Sequence, residues 1–283
     1  MENVMNLGKL ALAALLAAVI FAPGDAQAGR GSNYSAIMSA ISSRNADSII
    51  NELERAEKLI CSRCISPVRA LLDNDDYRIR EVAAWWLTRR PVTKRIVALE
   101  AEARLRGTDP RLARNAADTL GTFQHPDAIP VLTETVNRAD FPSYVRASAL
   151  KALGRIGSAH GEQAILAGLS DPGGDARAAA VEAYTRLRGA RDGAPLAALA
   201  TDPDAHVRMV AANAIGRYRL SAARAGLEQV LLTDSDPIVR RNAAWALGKI
   251  GDVASRTALT QAAANDTISY VRSTAELSLR SLR

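Results

Sequence analysis

One motif returns about every 32 residues along this chain, and that period constrains the fold more than any other feature. Its clearest copy, Asp236 to Gly251, reads Asp-Pro-x-Val-Arg-x-x-Ala-Ala-x-Ala-Leu-Gly-x-Ile-Gly. With the motif arginine as ruler, copies fall at Arg80, Arg146, Arg177, Arg208, Arg240 and Arg272. The gaps after Arg146 are 31, 31, 32 and 32 residues. The gap of 66 before it holds a seventh copy at Asp109-Pro110, with Ala113 in the arginine place. A unit this short cannot bury an apolar face by itself, so its copies must stack on one another.

The columns of the motif describe helices. Asp followed by Pro is a helix-start signal, Asp as cap and Pro in the first turn. Six residues before the arginine stands Asp140, Asp171, Asp202, Asp234 or Asp266. An apolar residue precedes the arginine (Val145, Val207, Val239, Val271), Ala follows three later, and Leu (Leu87, Leu120, Leu153, Leu247, Leu279) closes the turn. That spacing puts them on one helical face. Gly121, Gly154, Gly216 and Gly248 come next, near the helix end, where glycine costs less than mid-helix. Between motif helices lies a second apolar helix, at 127–138, 161–170, 195–200, 222–232 and 254–264. Each unit is therefore helix A, turn, helix B. No alternating strand pattern competes.

These columns resemble HEAT repeats, specifically the short HEAT-like repeats also found in phycobilisome lyases. The resemblance covers residues 65 to 283. Tetratricopeptide repeats have a similar period, but their Trp-Leu-Gly-Tyr columns are absent. The resemblance implies an all-α fold, a right-handed superhelical α-solenoid of about seven helix pairs with the B helices on the concave side. It also implies that the recurring Asp and Arg tie neighbouring repeats together. A helix near 34–60 is expected to cap the open apolar end. The start at 29–33 is expected to be loose.

Residues 1–28 read as a secretory signal peptide. Lys9 is the only basic residue, 10–22 is an apolar run too short for a typical membrane span, and Ala26-Gln27-Ala28 is a small-x-small cleavage site. The expected domains are then 1–28 signal, 29–64 cap region and 65–283 solenoid, in a periplasmic or secreted protein. Removing the signal leaves 35 basic and 28 acidic residues, a net +7. A basic chain first suggests nucleic acid, but an exported protein rarely meets it. Stable membrane insertion after cleavage is not expected.

Cys61 and Cys64 form a Cys-x-x-Cys expected in a turn just before the first A helix. An oxidising compartment favours a structural disulfide. The alternative is a redox or cofactor-handling pair, since a thiolate near a helix start is activated. That alternative lacks a βαβ context, and Ile65 stands where haem attachment needs His.

No enzymatic motif emerges, and no cofactor or metal is called for. Di-iron hydroxylases of this architecture carry His-Glu pairs, whereas His125, His160 and His206 are followed by Pro126, Gly161 and Val207. There is no Gly-x-Ser-x-Gly and no phosphate loop. Bilin attachment, the chemistry of the lyases, belongs in the cytoplasm and conflicts with export.

What packing leaves free lies in helix B. The residue after the Ala pair is Trp85, Asp118, Lys151, Glu182, Asn213, Trp245 or Leu277. It is polar in four copies, so it is expected to face outward. Four residues on come Arg89, Thr122, Arg155, Arg186, Arg217, Lys249 and Ser281, on the same helix face. Two readings of each column stand. Trp85 and Trp245 are binding anchors or fillers between repeats. The cations are a track for a protein partner with an acidic segment, or simply residues favoured by the helix dipole. The leading reading is a non-enzymatic exported scaffold that binds a protein on this face. Sequencing the N-terminus of the protein purified from its native cell tests export: the expected first residue is Gly29, and a chain beginning at Met1 would rule cleavage out.

Overall fold

A computed structural model describes residues 31–187 and 193–282, and the segment read as a signal peptide lies outside them. The described residues contain α-helices and short 3-10 turns and no β-strand. They form two compact units, one ending at Val68 and one beginning at Arg69.

The first unit holds α1 (Tyr34–Ser43) and α2 (Ala46–Arg55) and leads into α3 (Ser62–Ala70). The single helix expected over 34–60 is thus two. Arg44 leaves α1 in the left-handed region (φ 54°), and Asn45 starts α2 by accepting a hydrogen bond from the Ser48 N–H. Asn33 caps α1 in the same way, accepting from the Ala36 N–H. Ile37, Ile49, Leu53, Ala56 and Leu59 are buried. Ser32, expected to be loose, is buried too and donates to Glu52 at 2.7 Å. Gly29 and Arg30 lie outside the described residues.

The second unit is the solenoid. Its seven B helices are α4 (Tyr77–Thr88), α6 (Pro110–Phe123), α8 (Ser143–Ile156), α10 (Gly174–Tyr184), α11 (Ala205–Tyr218), α13 (Pro237–Ile250) and α15 (Ser269–Leu279). The A elements are the end of α3 with the 3-10 turn Leu71–Asp73, then α5 (Pro91–Arg106), α7 (Ile129–Val136), α9 (Glu162–Gly168), the 3-10 segment Ala194–Thr201, α12 (Arg224–Thr233) and α14 (Arg256–Asn265). The seven Ala residues three places after the motif arginine position are almost wholly buried, from Ala83 to Ala275. The Leu, Ile or Tyr four residues further on is buried in six of the seven copies. Burying one such side chain is worth about 1.5–3 kcal/mol, so a shared apolar seam, repeated seven times, supplies the stacking force.

Two roles are expected of the motif aspartates, helix capping and, by the resemblance, a tie to the arginines of neighbouring repeats, and the structure divides them into two kinds. Asp76, Asp109, Asp204 and Asp236 cap B helices, each accepting the backbone N–H two residues on. Asp171, Asp202, Asp234 and Asp266 also accept the backbone N–H two residues on, but they hold an arginine of the previous repeat as well. Each accepts both Nε–H and Nη2–H of the arginine one repeat earlier, at 2.5–3.0 Å: Arg146, Arg177, Arg208 and Arg240 respectively. The same arginines donate Nη1–H to carbonyls of their own A–B turn, such as Asp202 and Pro203 for Arg208. Each guanidinium therefore joins its own turn to the next one, in a planar fork that suits a carboxylate.

The ladder breaks where Ala113 replaces the arginine, and the neighbours show the consequence. Six residues before Ala113 stands Gly107, so Arg80 meets no ladder aspartate. It reaches Asp118 through Nη2 at 2.8 Å, and its buried Nε–H is left without a hydrogen bond. Asp140, whose ladder partner is replaced by Ala113, pairs with Arg138 instead. Arg138 in turn donates back to the carbonyls of Leu105 and Gly107. One arginine from the following repeat thus bridges the turn that the missing one would have held.

The glycine column also has a different cause from the one expected. A Cβ on Gly154 would sit 2.6 Å from Ala183 Cα, and one on Gly121 2.9 Å from Ala152 Cα. On Gly248 it would meet Ser278 Cα at 2.9 Å. Adjacent B helices therefore touch backbone to backbone at this column, and only glycine leaves room. At the very end of the helices, Gly157 and Gly251 take the left-handed conformation that closes α8 and α13.

Three measurements check this account. Asp202→Ala strands the nearly buried Arg177 and is expected to destabilise the protein by about 3–5 kcal/mol in urea unfolding. Gly154→Ala gains helix propensity but clashes with backbone, and a net loss of about 1–2 kcal/mol is expected, read as a Tm drop of about 2–8 °C. Burial alone would raise the Asp171, Asp202 and Asp234 carboxyls, but hydrogen bonds from the arginines and backbone N–H groups hold them below the usual range; for Asp266 the Arg240 hydrogen bond is the leading cause. The unfolded chain therefore takes up protons first. The ladder's contribution is complete above the ordinary Asp value near 4 and is lost as pH falls further through the depressed folded values. A Tm that stays level from pH 4 down to pH 2 would contradict this.

Candidate interaction surface

On each B helix the side chains one, five and nine residues after the motif arginine share a face. Two of these columns were legible in the sequence. The third, one residue after the arginine (Glu81, Arg114, Ala147, Ala178, Met209, Arg241 and Ser273), was missed. Its signal was the same four-residue spacing one turn earlier.

The outward expectation for the five-residue column holds: Lys151, Asn213 and Leu277 are exposed, and Trp85, Asp118, Glu182 and Trp245 are partly exposed. In the column beyond it Arg89, Arg186, Arg217 and Lys249 are exposed. The face is concave. Arg155 of the third repeat reaches over the second to hydrogen-bond Tyr77 and Glu81 of the first, the latter at 2.6 Å. A cleft of about 450 Å3 follows the same face through five B helices, from Tyr77 and Asp118 past Lys151 and Glu182 to His206.

The two halves of the face differ in charge. In the first three repeats Arg80 is tied to Asp118 and Arg155 to Glu81. Arg155, a candidate for partner contact, is thus already engaged within the chain. Burial, opposed by the Arg155 charge, still pushes the Tyr77 hydroxyl up from its ordinary value. In the later repeats the cations are open. Among the described residues, no carboxylate forms an ion pair with Arg186, Arg217, Arg241 or Lys249.

Trp85 and Trp245 each carry a cation from one turn further on, Arg89 at 5.5 Å and Lys249 at 5.6 Å from the ring centre. Trp245 also lies directly over Gly216 of the preceding repeat, where a Cβ would collide with its ring. It fills the gap between α11 and α13 while keeping part of its surface open. A groove of about 400 Å3 runs beside it, lined among others by Asn213, Arg241, Lys249 and Leu277.

Cys61 and Cys64 are bonded to one another. The turn expected between helices holds only Cys61: Cys64 lies in the first turn of α3, and its N–H faces Cys61 Sγ at 3.2 Å. Both are buried, Cys64 completely, which shields the bond from an attacking thiolate. His160 and His206 are exposed, His125 half-buried. Among the described residues no cluster of His, Cys, Asp and Glu is arranged to hold a metal ion, and no helix is long and apolar enough to cross a membrane.

Seven stacked helix pairs, an arginine–aspartate ladder and a concave helix face define an α-solenoid of the HEAT type. The family model for HEAT repeats matches residues 98–185 and 193–280, and the chain belongs to that family. No curated protein matches it by sequence. Among solved structures it is similar to YibA of E. coli, at 15% identity over 90% of this chain and 99% of the other, with a TM-score of 0.53. It is also similar to Kap95p, seen with RanGDP, at 13% identity over 87% of this chain and 41% of the other, with a TM-score of 0.53. The CpcE–CpcF phycocyanin lyase of Nostoc is 25% identical over 77% of this chain and 94% of the other, with a TM-score of 0.43. These likenesses concern the fold.

Proposed function

We propose that this protein is an exported, non-enzymatic scaffold that docks a protein partner on the concave face of its B helices. The observation that carries the reading is the division of labour along each B helix. One side is committed to packing and to the ladder, while the other presents a cleft whose side chains change from repeat to repeat. HEAT solenoids typically serve as protein-interaction scaffolds, and Kap95p, which shares the fold, is seen in complex with RanGDP. Buried, bonded cysteines support a structural role for the Cys61–Cys64 pair over a redox one.

A photo-crosslinking amino acid placed at Asn213, on the B face, and separately at Gln261, on the exposed side of α14, tests the reading in the native cell. The expected result is a discrete adduct from Asn213 and none from Gln261. Adducts only from Gln261 would move the docking surface to the A helices and refute the proposal.

A further inference from the structure

The concave face is not uniform, and its last three repeats have the character of a peptide-binding groove. Reading across the three outward columns, the fifth repeat presents Met209, Asn213 and Arg217, the sixth Arg241, Trp245 and Lys249, the seventh Ser273, Leu277 and Ser281. That stretch carries three cations and no carboxylate. The first two repeats present Glu81, Trp85, Arg89, Arg114, Asp118 and Thr122, where the charges balance. No carboxylate lines the groove beside Trp245, and none pairs with its cations among the described residues. Like charges held close together without counter-charges cost stability, and among the described residues no carboxylate pairs with these three.

Apolar surface lies among the cations. Trp245 stands on α13 between Arg241 and Lys249, four residues from each, so the two cations flank it along one helix face. Leu277, the counterpart of Trp245 one repeat on, is 62% exposed. We infer that this groove binds an extended acidic peptide segment that ends in a large apolar side chain. The inference rests on the B face being the docking surface and adds where on it the partner sits and what chemistry the partner carries. Carboxylates alone would fit any anionic polymer. The open ring surface of Trp245 and the exposed Leu277 favour a ligand that has apolar side chains as well, which a polypeptide has.

Spacing gives the ligand a register. Packed helices lie about 8–10 Å apart, and an extended chain advances about 3.3 Å per residue. Cations one repeat apart, Arg217 and Lys249, thus match carboxylates about three residues apart. An apolar residue about three further on falls at Leu277. A fitting segment reads acidic-x-x-acidic-x-x-apolar, laid across the helices in repeat order.

Fluorescence anisotropy of the labelled peptide Glu-Ser-Thr-Glu-Ser-Thr-Leu on the full mature chain tests this. Three competitors are needed: the same peptide with Gln for Glu, the same with Ser for the final Leu, and inorganic polyphosphate. The expected result is binding that weakens about tenfold or more in the double variant R217E/K249E, and weakens similarly when either peptide feature is removed. Both side chains are exposed, so the variant is expected to keep its fold, checked by an unchanged circular dichroism spectrum, with at most a small fall in Tm from the lost helix-end cations. Equal affinity of wild type and R217E/K249E would overturn the placement. Loss of binding in K151E, with R217E/K249E still binding, would move the site to the middle repeats and leave the wider B-face reading standing. No binding of the peptide at all, or binding indifferent to the final Leu and displaced by polyphosphate, would overturn the peptide assignment.

Discussion

The stack depends on a guanidinium that joins one repeat to the next, present in four of the seven. A charged group taken out of water must be paired and fully hydrogen-bonded or it costs several kcal/mol. Arg146, Arg177, Arg208 and Arg240 meet that demand by reaching in two directions at once, to the carbonyls of their own turn and to an aspartate of the next. An apolar seam of Val, Ala and Leu would tolerate some sliding. A bidentate pair does not, so the ladder sets the register at which the seam closes. The repeat that lacks the arginine shows the same demand from the other side, with Arg80 short of one hydrogen bond and Arg138 reaching back across the gap.

With register fixed, the B helices can come close. Contact at Gly121, Gly154 and Gly248 brings backbone against backbone on the concave side of the stack. The outer side chains of several repeats then share one cleft. Arg155 shows how tight the curve is, because it spans two repeats to reach Glu81. Self-pairing of this kind neutralises the first half of the face. The second half keeps its cations open, around a tryptophan that is itself wedged over Gly216. The packed seam and the open cleft thus occupy opposite sides of the same helices.

Much of the fold was legible because stacking repeats the same problem seven times, and the same solution recurs in the sequence. Val145, Ala149 and Leu153 could be read as a packed face from spacing alone. The glycines could not be understood that way, because their reason lies in a neighbouring helix some thirty residues away. The aspartates could be read in part: a tie to arginine was expected from the resemblance, but not that the Asp202 carboxylate meets Arg177 of the previous repeat while Asp204 caps its own helix. The cap region was misread as a single helix because Arg44, an ordinary residue, takes a left-handed conformation that its identity does not announce.

The candidate surface divides along the same line. The outward position of Lys151, Asn213 and Trp245 followed from the polarity of their column, and that of Arg217 from helical spacing, which depend only on the residues and the chain's own geometry. Which cations are spent within the protein did not follow, because Arg155 and Glu81 are 74 residues apart and meet only when the stack curves. The sequence by itself therefore determined the repeat, the helix pairs and the face that points outward. The tertiary structure decided which of those outward groups remain open, since pairing across repeats depends on the curvature of the whole stack.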